Sequence, residues 1–307
     1  DRMSFDTISK MFNNVVNQFP EKELYFYKHN DEWIGLTGNV IKSTVEEISF
    51  GLKSISEEQF NSAILSTNTP RWAMSDYGII CSGGCTVSIY PTLISSQIEF
   101  ILNDSQAKVV FVENSDQKEK VLEIKNNCSA LEKIIVMDDS HKGSDDSIIN
   151  YMDFLNIGNE FEKSSESTFE QQVEVANPND LLTLIYTSGT TGNPKGVMLT
   201  HHNLVSNINS TLNGIDFSEK DVFLSFLPLS HVFERMGGHF TAFSQGCQVY
   251  YAEGIEKVAD NMGEVKPTLM MSVPRLYEKM YTGVMANVKA GSPIKQKIFN
   301  WGIITGT

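Results

Sequence analysis

An α/β fold of layered sheets flanked by helices is predicted by three features of the sequence. Short apolar runs of strand length alternate with longer stretches of helical periodicity through most of the chain. With 307 residues and 41 per cent hydrophobic content, the chain can bury a substantial core in two modest domains or one large one. A loop of phosphate-binding composition lies between two of the apolar runs.

Residues 5–19 and 40–52 have the apolar spacing of helices, and between them 24–27 and 33–36 flank Asn30-Asp31 as a hairpin. Strands recur at 63–65, 86–89, 109–112 and 134–137, with helices at 71–81, 95–102 and 117–128. From 140 to 180 the composition turns polar. Gly143, Gly158 and the acidic, serine-rich run 160–167 predict a surface linker, with a short helix at 148–155. The alternation then resumes as a helix at 202–212, a strand at 222–226, a helix at 232–243 and strands at 249–251 and 267–273. A final helix at 274–288 can start on Pro274 at its first turn. The resulting division is an α/β subdomain over 1–157, a linker over 158–179 and a second α/β subdomain over 180–307. No short-period repeat is present.

The most specific chemistry lies at residues 186–201, Tyr-Thr-Ser-Gly-Thr-Thr-Gly-Asn-Pro-Lys-Gly-Val-Met-Leu-Thr-His. Gly189, Gly192 and Gly196 can take positive backbone dihedrals and let main-chain amides approach a phosphate chain closely. Thr187, Ser188, Thr190 and Thr191 add hydroxyls. Lys195 supplies a mobile cation, and Pro194 restricts the backbone just before it. The spacing matches neither Gly-x4-Gly-Lys-Ser/Thr nor Gly-x-Gly-x-x-Gly, and the apolar flanks 181–186 and 197–199 predict a loop joining strand to strand. A ligand-free polar turn is the alternative, which ten consecutive matched positions disfavour.

Residues 186–196 resemble the signature of the adenylate-forming family, which includes acyl-CoA synthetases, firefly luciferase and peptide-synthetase adenylation domains. Further segments extend the likeness over nearly the whole chain. Ser66-Thr-Asn-Thr-Pro-Arg-Trp72 with Asp76, Tyr90-Pro-Thr92 and the run 101–110 resemble the upstream part of long-chain acyl-CoA synthetases. Leu227-Pro-Leu-Ser-His-Val-Phe-Glu-Arg235 and Ser272-Val-Pro-Arg-Leu-Tyr-Glu-Lys279 point to the same branch. The resemblance implies the fold of the large N-terminal domain of acyl-CoA synthetases and luciferase. It also implies ATP-dependent activation of a long-chain fatty acid through an acyl-adenylate, followed by transfer to coenzyme A.

By the same resemblance, Tyr186, Thr187, Ser188, Gly189, Thr190, Thr191, Gly192, Lys195 and Gly196 would wrap the β- and γ-phosphates of ATP. The Thr190 hydroxyl would ligate Mg2+, whose octahedron phosphates and waters complete. Lys195 and His231 are the candidate catalytic residues, His231 lying beside the acyl and adenylate site. His231 and Arg235 are four apart on an expected helix, so both could project from one face and Arg235 could also meet the nucleotide. Alternatives stay open: a helix-start histidine satisfied locally, and an Arg235 held structurally by Glu234 or other acids. Packing and a local hydrogen bond explain Trp72 and Asp76, Pro274-Arg275 reads as a helix start, and Tyr90-Pro91 as a strand end. The segment 236–243 reads first as core and second as tunnel wall.

A formal charge of −14 disfavours nucleic acid and offers no polybasic patch for an anionic membrane. Four cysteines, Cys81, Cys85, Cys128 and Cys247, lack zinc-ligand spacing and read as reduced, mostly buried thiols. No apolar stretch reaches the roughly 18 residues of a membrane span, and the first residues lack a signal-peptide core. A cytoplasmic protein is expected, with transient contact at a membrane surface left open. The family's later segments, including a second magnesium ligand, a ribose-binding aspartate and a late catalytic lysine, are not found in 1–307. The chain is therefore read as the N-terminal part of a ligase, incomplete at its C-terminal end and inactive alone. Activation of a medium-chain, aromatic or amino acid, or a non-catalytic nucleotide- or acyl-binding module, are the competing readings.

Overall fold

The computed structural model describes residues 4–187 and 193–305 and arranges their strands into two sheets. In chain order the elements begin with α1 (Ile8–Gln18), β1 (Glu23–His29), β2 (Glu32–Thr37), α2 (Gly38–Ile55), β3 (Asn61–Leu65), α3 (Pro70–Cys81) and β4 (Cys85–Ile89). They continue with α4 (Ser95–Ser105), β5 (Val109–Val112), α5 (Ser115–Ile124), β6 (Lys133–Val136), β7 (Ile148–Asn150), α6 (Tyr151–Glu162) and α7 (Phe169–Val175). Next come β8 (Leu181–Thr187), β9 (Lys195–Thr200), α8 (His201–Gly214) and β10 (Val222–Ser225). A continuous helical run joins α9 (Val232–Glu234), a π-helical segment Arg235–Thr241 and α10 (Ala242–Ser244). It is followed by β11 (Gln248–Tyr251), α11 (Val258–Val265), α12 (Pro274–Ala290) and α13 (Pro293–Thr305).

The seven-stranded sheet has the order β7-β6-β5-β3-β4-β8-β9, parallel except for the β8–β9 pair at its edge. The four-stranded sheet runs β10-β11-β1-β2, and only β2 is antiparallel to its neighbour. Side chains alternate faces along a strand, which divides the core in two. On one face Ile64, Val109, Phe111 and Ile135 join α1, α2, α3 and the four-stranded sheet's Tyr25, Phe223 and Val249 in one cluster. On the other face Leu65, Val110, Val112 and Ile134 pack against Ile98 and Leu102 of α4 and Val121 of α5. Both faces are covered, as a parallel sheet requires.

Local sequence sets many element boundaries. Asn30 (φ 49°) and Asp31 (φ 63°) are both left-handed, the geometry of a two-residue hairpin turn that these residue types tolerate. Thr7, Thr37, Thr69, Asn150, Thr168 and Thr200 each accept a backbone N–H from the first turn of the helix that follows. A cap of this kind contributes about 1 kcal/mol. The strand-to-strand connection expected for the glycine-rich loop is observed, since β8 and β9 pair antiparallel from Leu181–Thr200 to Thr187–Lys195. All four cysteines are free and buried.

Tertiary packing altered four expectations. The segment 148–155 is not one helix: Ile148–Asn150 adds β7 to the edge of the large sheet, and α6 begins at Tyr151. The polar run 158–179 contains the end of α6 and all of α7. Phe169 and Val173 are buried there, and a Cβ on Gly158 would lie 1.8 Å from the Glu47 carbonyl of α2, so this glycine permits close helix packing rather than marking a linker. The helix expected over 232–243 is interrupted by the π-helical segment. Finally, 267–273 makes an isolated bridge, Phe223 to Leu269, instead of a strand.

Two compact units divide the chain, Asp1–Met270 and Met271–Thr307. Strands from both sides of 158–179 share both sheets, so the sheets do not follow the boundaries expected at 157/158 and 179/180. The second unit consists of α12 and α13.

Candidate functional site

Parallel pairing brings the carboxyl ends of strands to a common edge, and in open α/β sheets such edges are where ligands bind. A cavity of ≈ 900 Å³ lies at these ends. Ser66 to Arg71 enter its wall after β3, Tyr90 to Thr92 after β4, and Glu113 after β5. From the smaller sheet come Leu227, Pro228 and Ser230 after β10 and Ala252 to Ile255 after β11. Three segments far apart in sequence and singled out by resemblance, 66–72, 90–92 and 227–235, thus contribute to one cavity. β8 is parallel to β4 and ends at Thr187, so the glycine-rich loop leaves the large sheet from the same edge.

Ser188, Gly189, Thr190, Thr191 and Gly192 lie outside the described residues. The strands beside them are described. Thr187 and Lys195 face each other as the last register pair of the hairpin, and both are exposed. Tyr186 is buried and its hydroxyl donates to Asp104 Oδ2 at 2.7 Å. Burial, then the Asp104 carboxylate, push its phenol well above the usual range. Gly196 has no positive φ. Its lack of a side chain accommodates the Tyr186 ring, whose Cζ would stand 3.1 Å from a Cβ. Among the described residues no group of three or more His, Cys, Asp or Glu side chains could hold a metal ion.

His231 and Arg235 diverge, contrary to the expected shared face. His231 is exposed at the N-cap of α9, where Nδ1 accepts the Phe233 N–H at 3.2 Å. That bond leaves Nε2 to carry the proton in the neutral ring. Arg235 is 1 % exposed and turned inward. Its Nε and Nη2 donate to Asp76 Oδ2 and Oδ1 at 3.0 and 2.5 Å, and Nη1 donates to Thr183 Oγ1 at 2.5 Å. His239 Nε2 lies 3.1 Å from Asp76 Oδ2. The partner of Arg235 is Asp76, not Glu234, and Asp76 makes a long-range ion pair where a local hydrogen bond was expected. Burial opposes ionisation of Asp76, yet Arg235 and His239 outweigh it and hold the carboxyl below its ordinary value.

Glu234 has a different environment. Its Oε1 accepts from Ser225 Oγ at 2.8 Å, Oε2 has no hydrogen-bond partner among the described residues, and burial pushes its pKa up to about 8. The carboxyl is therefore mostly protonated at neutral pH. Phe240, Ala242 and Phe243 of the helical run are fully buried, so this segment is core.

Asn68, within segment 66–72, has a structural role that its local sequence does not mark as a site residue. Its Nδ2 donates to Leu227 O at 2.6 Å and Ser225 Oγ at 3.2 Å, and its Oδ1 accepts the Leu229 N–H at 2.8 Å. A polar residue between a strand end and a Thr-Pro helix start was the local signal available.

A sequence model described as AMP-binding enzyme matches residues 12–299. The chain belongs to the AMP-binding enzyme family. Long-chain-fatty-acid–CoA ligases ACSBG2 of Xenopus laevis and Gallus gallus are 29% and 30% identical to it over 303 and 304 residues. Each alignment covers 96% of this chain but 41% and 39% of the relative, so the chain spans about two fifths of their length. Among solved structures, the adenylation domain of a carboxylate reductase from Mycobacterium chelonae superposes with a TM-score of 0.82 at 18% identity, covering 95% of this chain and 50% of that one. The anthranilate CoA ligase AuaEII, solved with anthranoyl-AMP, gives 0.75 at 22% identity, with 88% and 50% covered. These superpositions establish that the AMP-binding enzyme fold is shared.

Proposed function

We propose that this chain supplies the pyrophosphate loop and part of the carboxylate-activating site of a long-chain fatty acid:CoA ligase. The observation that carries the reading is the meeting of the 66–72, 90–92 and 227–230 loops at one cavity, on the sheet edge from which the glycine-rich loop departs. Long-chain-fatty-acid–CoA ligases among the relatives support the substrate class.

In the first step a carboxylate oxygen attacks the α-phosphorus of ATP, the α–β bridging bond breaks, and pyrophosphate leaves with its electron pair. Two anions must approach, so the site has to neutralise the triphosphate and hold the reactants in line. Lys195 stands at the loop end of a hairpin whose register with β8 holds its backbone, and its ammonium offers charge to the departing pyrophosphate. Residues 186–196 are assigned to the β- and γ-phosphates. Thr190 is assigned as the hydroxyl ligand of a Mg2+ that would supply further countercharge to the triphosphate when bound. His231, its Nδ1 occupied by the Phe233 amide, presents Nε2 as a donor to orient the carboxylate. Arg235 serves the fold and has no ligand role in this reading. In the second step the coenzyme A thiol sulfur attacks the acyl carbon, AMP leaves, and the thiol proton is released.

The 307 residues alone are expected to bind nucleotide weakly and to make no acyl-CoA. A cytoplasmic setting with transient membrane-surface contact suits a fatty substrate. Among the described residues no helix is long and apolar enough to cross a membrane.

ATP–pyrophosphate exchange by the full-length protein tests the reading. Exchange stimulated by palmitate, with palmitoyl-CoA formed on adding coenzyme A, is the expected result. Stimulation only by amino acids or benzoates would reject the fatty acid assignment, and no exchange with any carboxylate would reject the function.

A further inference from the structure

We infer that Asn68 is a positioning residue for carboxylate activation, clamping the loop that leads into His231. This rests on the functional reading above. Three hydrogen bonds from one amide, to Ser225 Oγ, Leu227 O and Leu229 N, join the loop after β3 of the large sheet to the end of β10 and the loop beyond it in the small one. Both donor hydrogens and one acceptor position of the amide are thereby used.

Asn68 is itself held on both sides. Thr67 binds Glu113 twice, through its N–H at 2.9 Å and its Oγ1 at 2.7 Å. Thr69 caps α3, its Oγ1 accepting the Trp72 N–H at 3.1 Å, and Pro70 stiffens the first turn. The clamp therefore starts from a rigid base. Beyond Leu229, Ser88 Oγ donates to Ser230 O at 3.2 Å, and His231 N–H closes a turn onto Pro228 O at 2.9 Å. Release of Leu227 and Leu229 would leave that turn anchored at its far end alone. A side chain two residues on would then sample positions away from the reacting carboxylate, and loss of fixed geometry is costly to rate.

Two variants of the full-length protein test the clamp. Asn68→Ala removes all three bonds. Asn68→Asp keeps an acceptor for Leu229 but sets a carboxylate oxygen against the Leu227 carbonyl. Each is expected to slow single-turnover adenylate formation by about tenfold or more, the size set by losing one or more partly buried hydrogen bonds. In a His231→Ala background the same changes should cost only about threefold or less, because residues acting through one another are non-additive. Hydrogen exchange supplies a readout independent of catalysis: the Leu229 amide should lose protection in Asn68→Ala, which leaves it no side-chain acceptor at position 68. Full additivity with His231→Ala, or an Asn68→Asp rate equal to wild type, would overturn the inference. Should the wild-type protein show no carboxylate-dependent exchange, the functional reading fails, and unchanged Leu229 protection in Asn68→Ala would separately reject the clamp.

Discussion

Arg235 and Asp76 stand 159 positions apart and form a two-point ion pair in which neither side chain is more than 2% exposed. The pair joins α3 to the π-helical segment, and Thr183 extends it to β8, so one guanidinium ties together three elements of the core. His239 completes the shell around Asp76, and Trp72 lies 5.6 Å from the guanidinium carbon.

Removing one partner of this pair strands a charge in an apolar interior. Asp76→Ala and Arg235→Ala are each expected to lower unfolding free energy by about 3–5 kcal/mol, and the combined Asp76→Leu, Arg235→Met change to cost clearly less than either. Urea denaturation of the four proteins checks this. A double variant as damaged as the sum of the singles would show that the two side chains act separately.

Glu234 makes stability depend on pH with a defined sign. Its folded pKa of about 8 exceeds the 4.5 of a free glutamate, so the native state holds a proton that the unfolded chain has released. The contribution is complete below about 4.5 and is lost as pH rises toward 8. Glu234→Gln, which keeps the shape without titrating, should abolish that part of the decline. Thermal midpoints of both proteins across this range give the answer, and parallel curves would contradict it.

His201 acts in the opposite direction. Its Nδ1 accepts the Ile8 N–H at 3.1 Å in a buried site, and burial lowers its pKa from 6.5 to about 4. Protonation favours the unfolded state, so this contribution falls away as pH drops from 6.5 toward 4. His201→Gln should lessen the acid sensitivity seen in the same melting series, and an unaltered acid limb would refute the assignment.

A methyl group at position 238 has no room. The added Cβ of Gly238→Ala would lie 2.2 Å from Glu234 Oε1, in a buried turn where the carboxyl cannot swing into solvent. Overpacking of this kind costs about 1–3 kcal/mol. The same substitution at Gly214, which has nothing within 4 Å of its Cβ position, is the control. Equal denaturation midpoints for the two variants would rule out the steric account.

Lys195 is exposed and belongs to the chemistry in the proposed function. Lys195→Ala in the full-length protein should leave the melting temperature unchanged while slowing adenylate formation more than it weakens fatty acid binding. Single-turnover kinetics with palmitate decide the matter, and an unchanged rate would remove Lys195 from the site.

What the sequence by itself determined is local. The Asn30-Asp31 turn, the Thr and Asn helix caps, the apolar strands and the hairpin under the glycine-rich loop depend on residues a few positions apart, where side-chain size and backbone preference act directly. Tertiary structure alone decided that Asp76 meets Arg235, that Asn68 reaches Leu227 and Leu229, and that 148–150 joins a sheet edge instead of a helix. Those choices follow from strand order and from the balance of burial against charge between segments remote in the chain, which periodicity does not encode. Asp76 read locally as a residue explained by packing and a nearby hydrogen bond, and only the folded path set Arg235 against it.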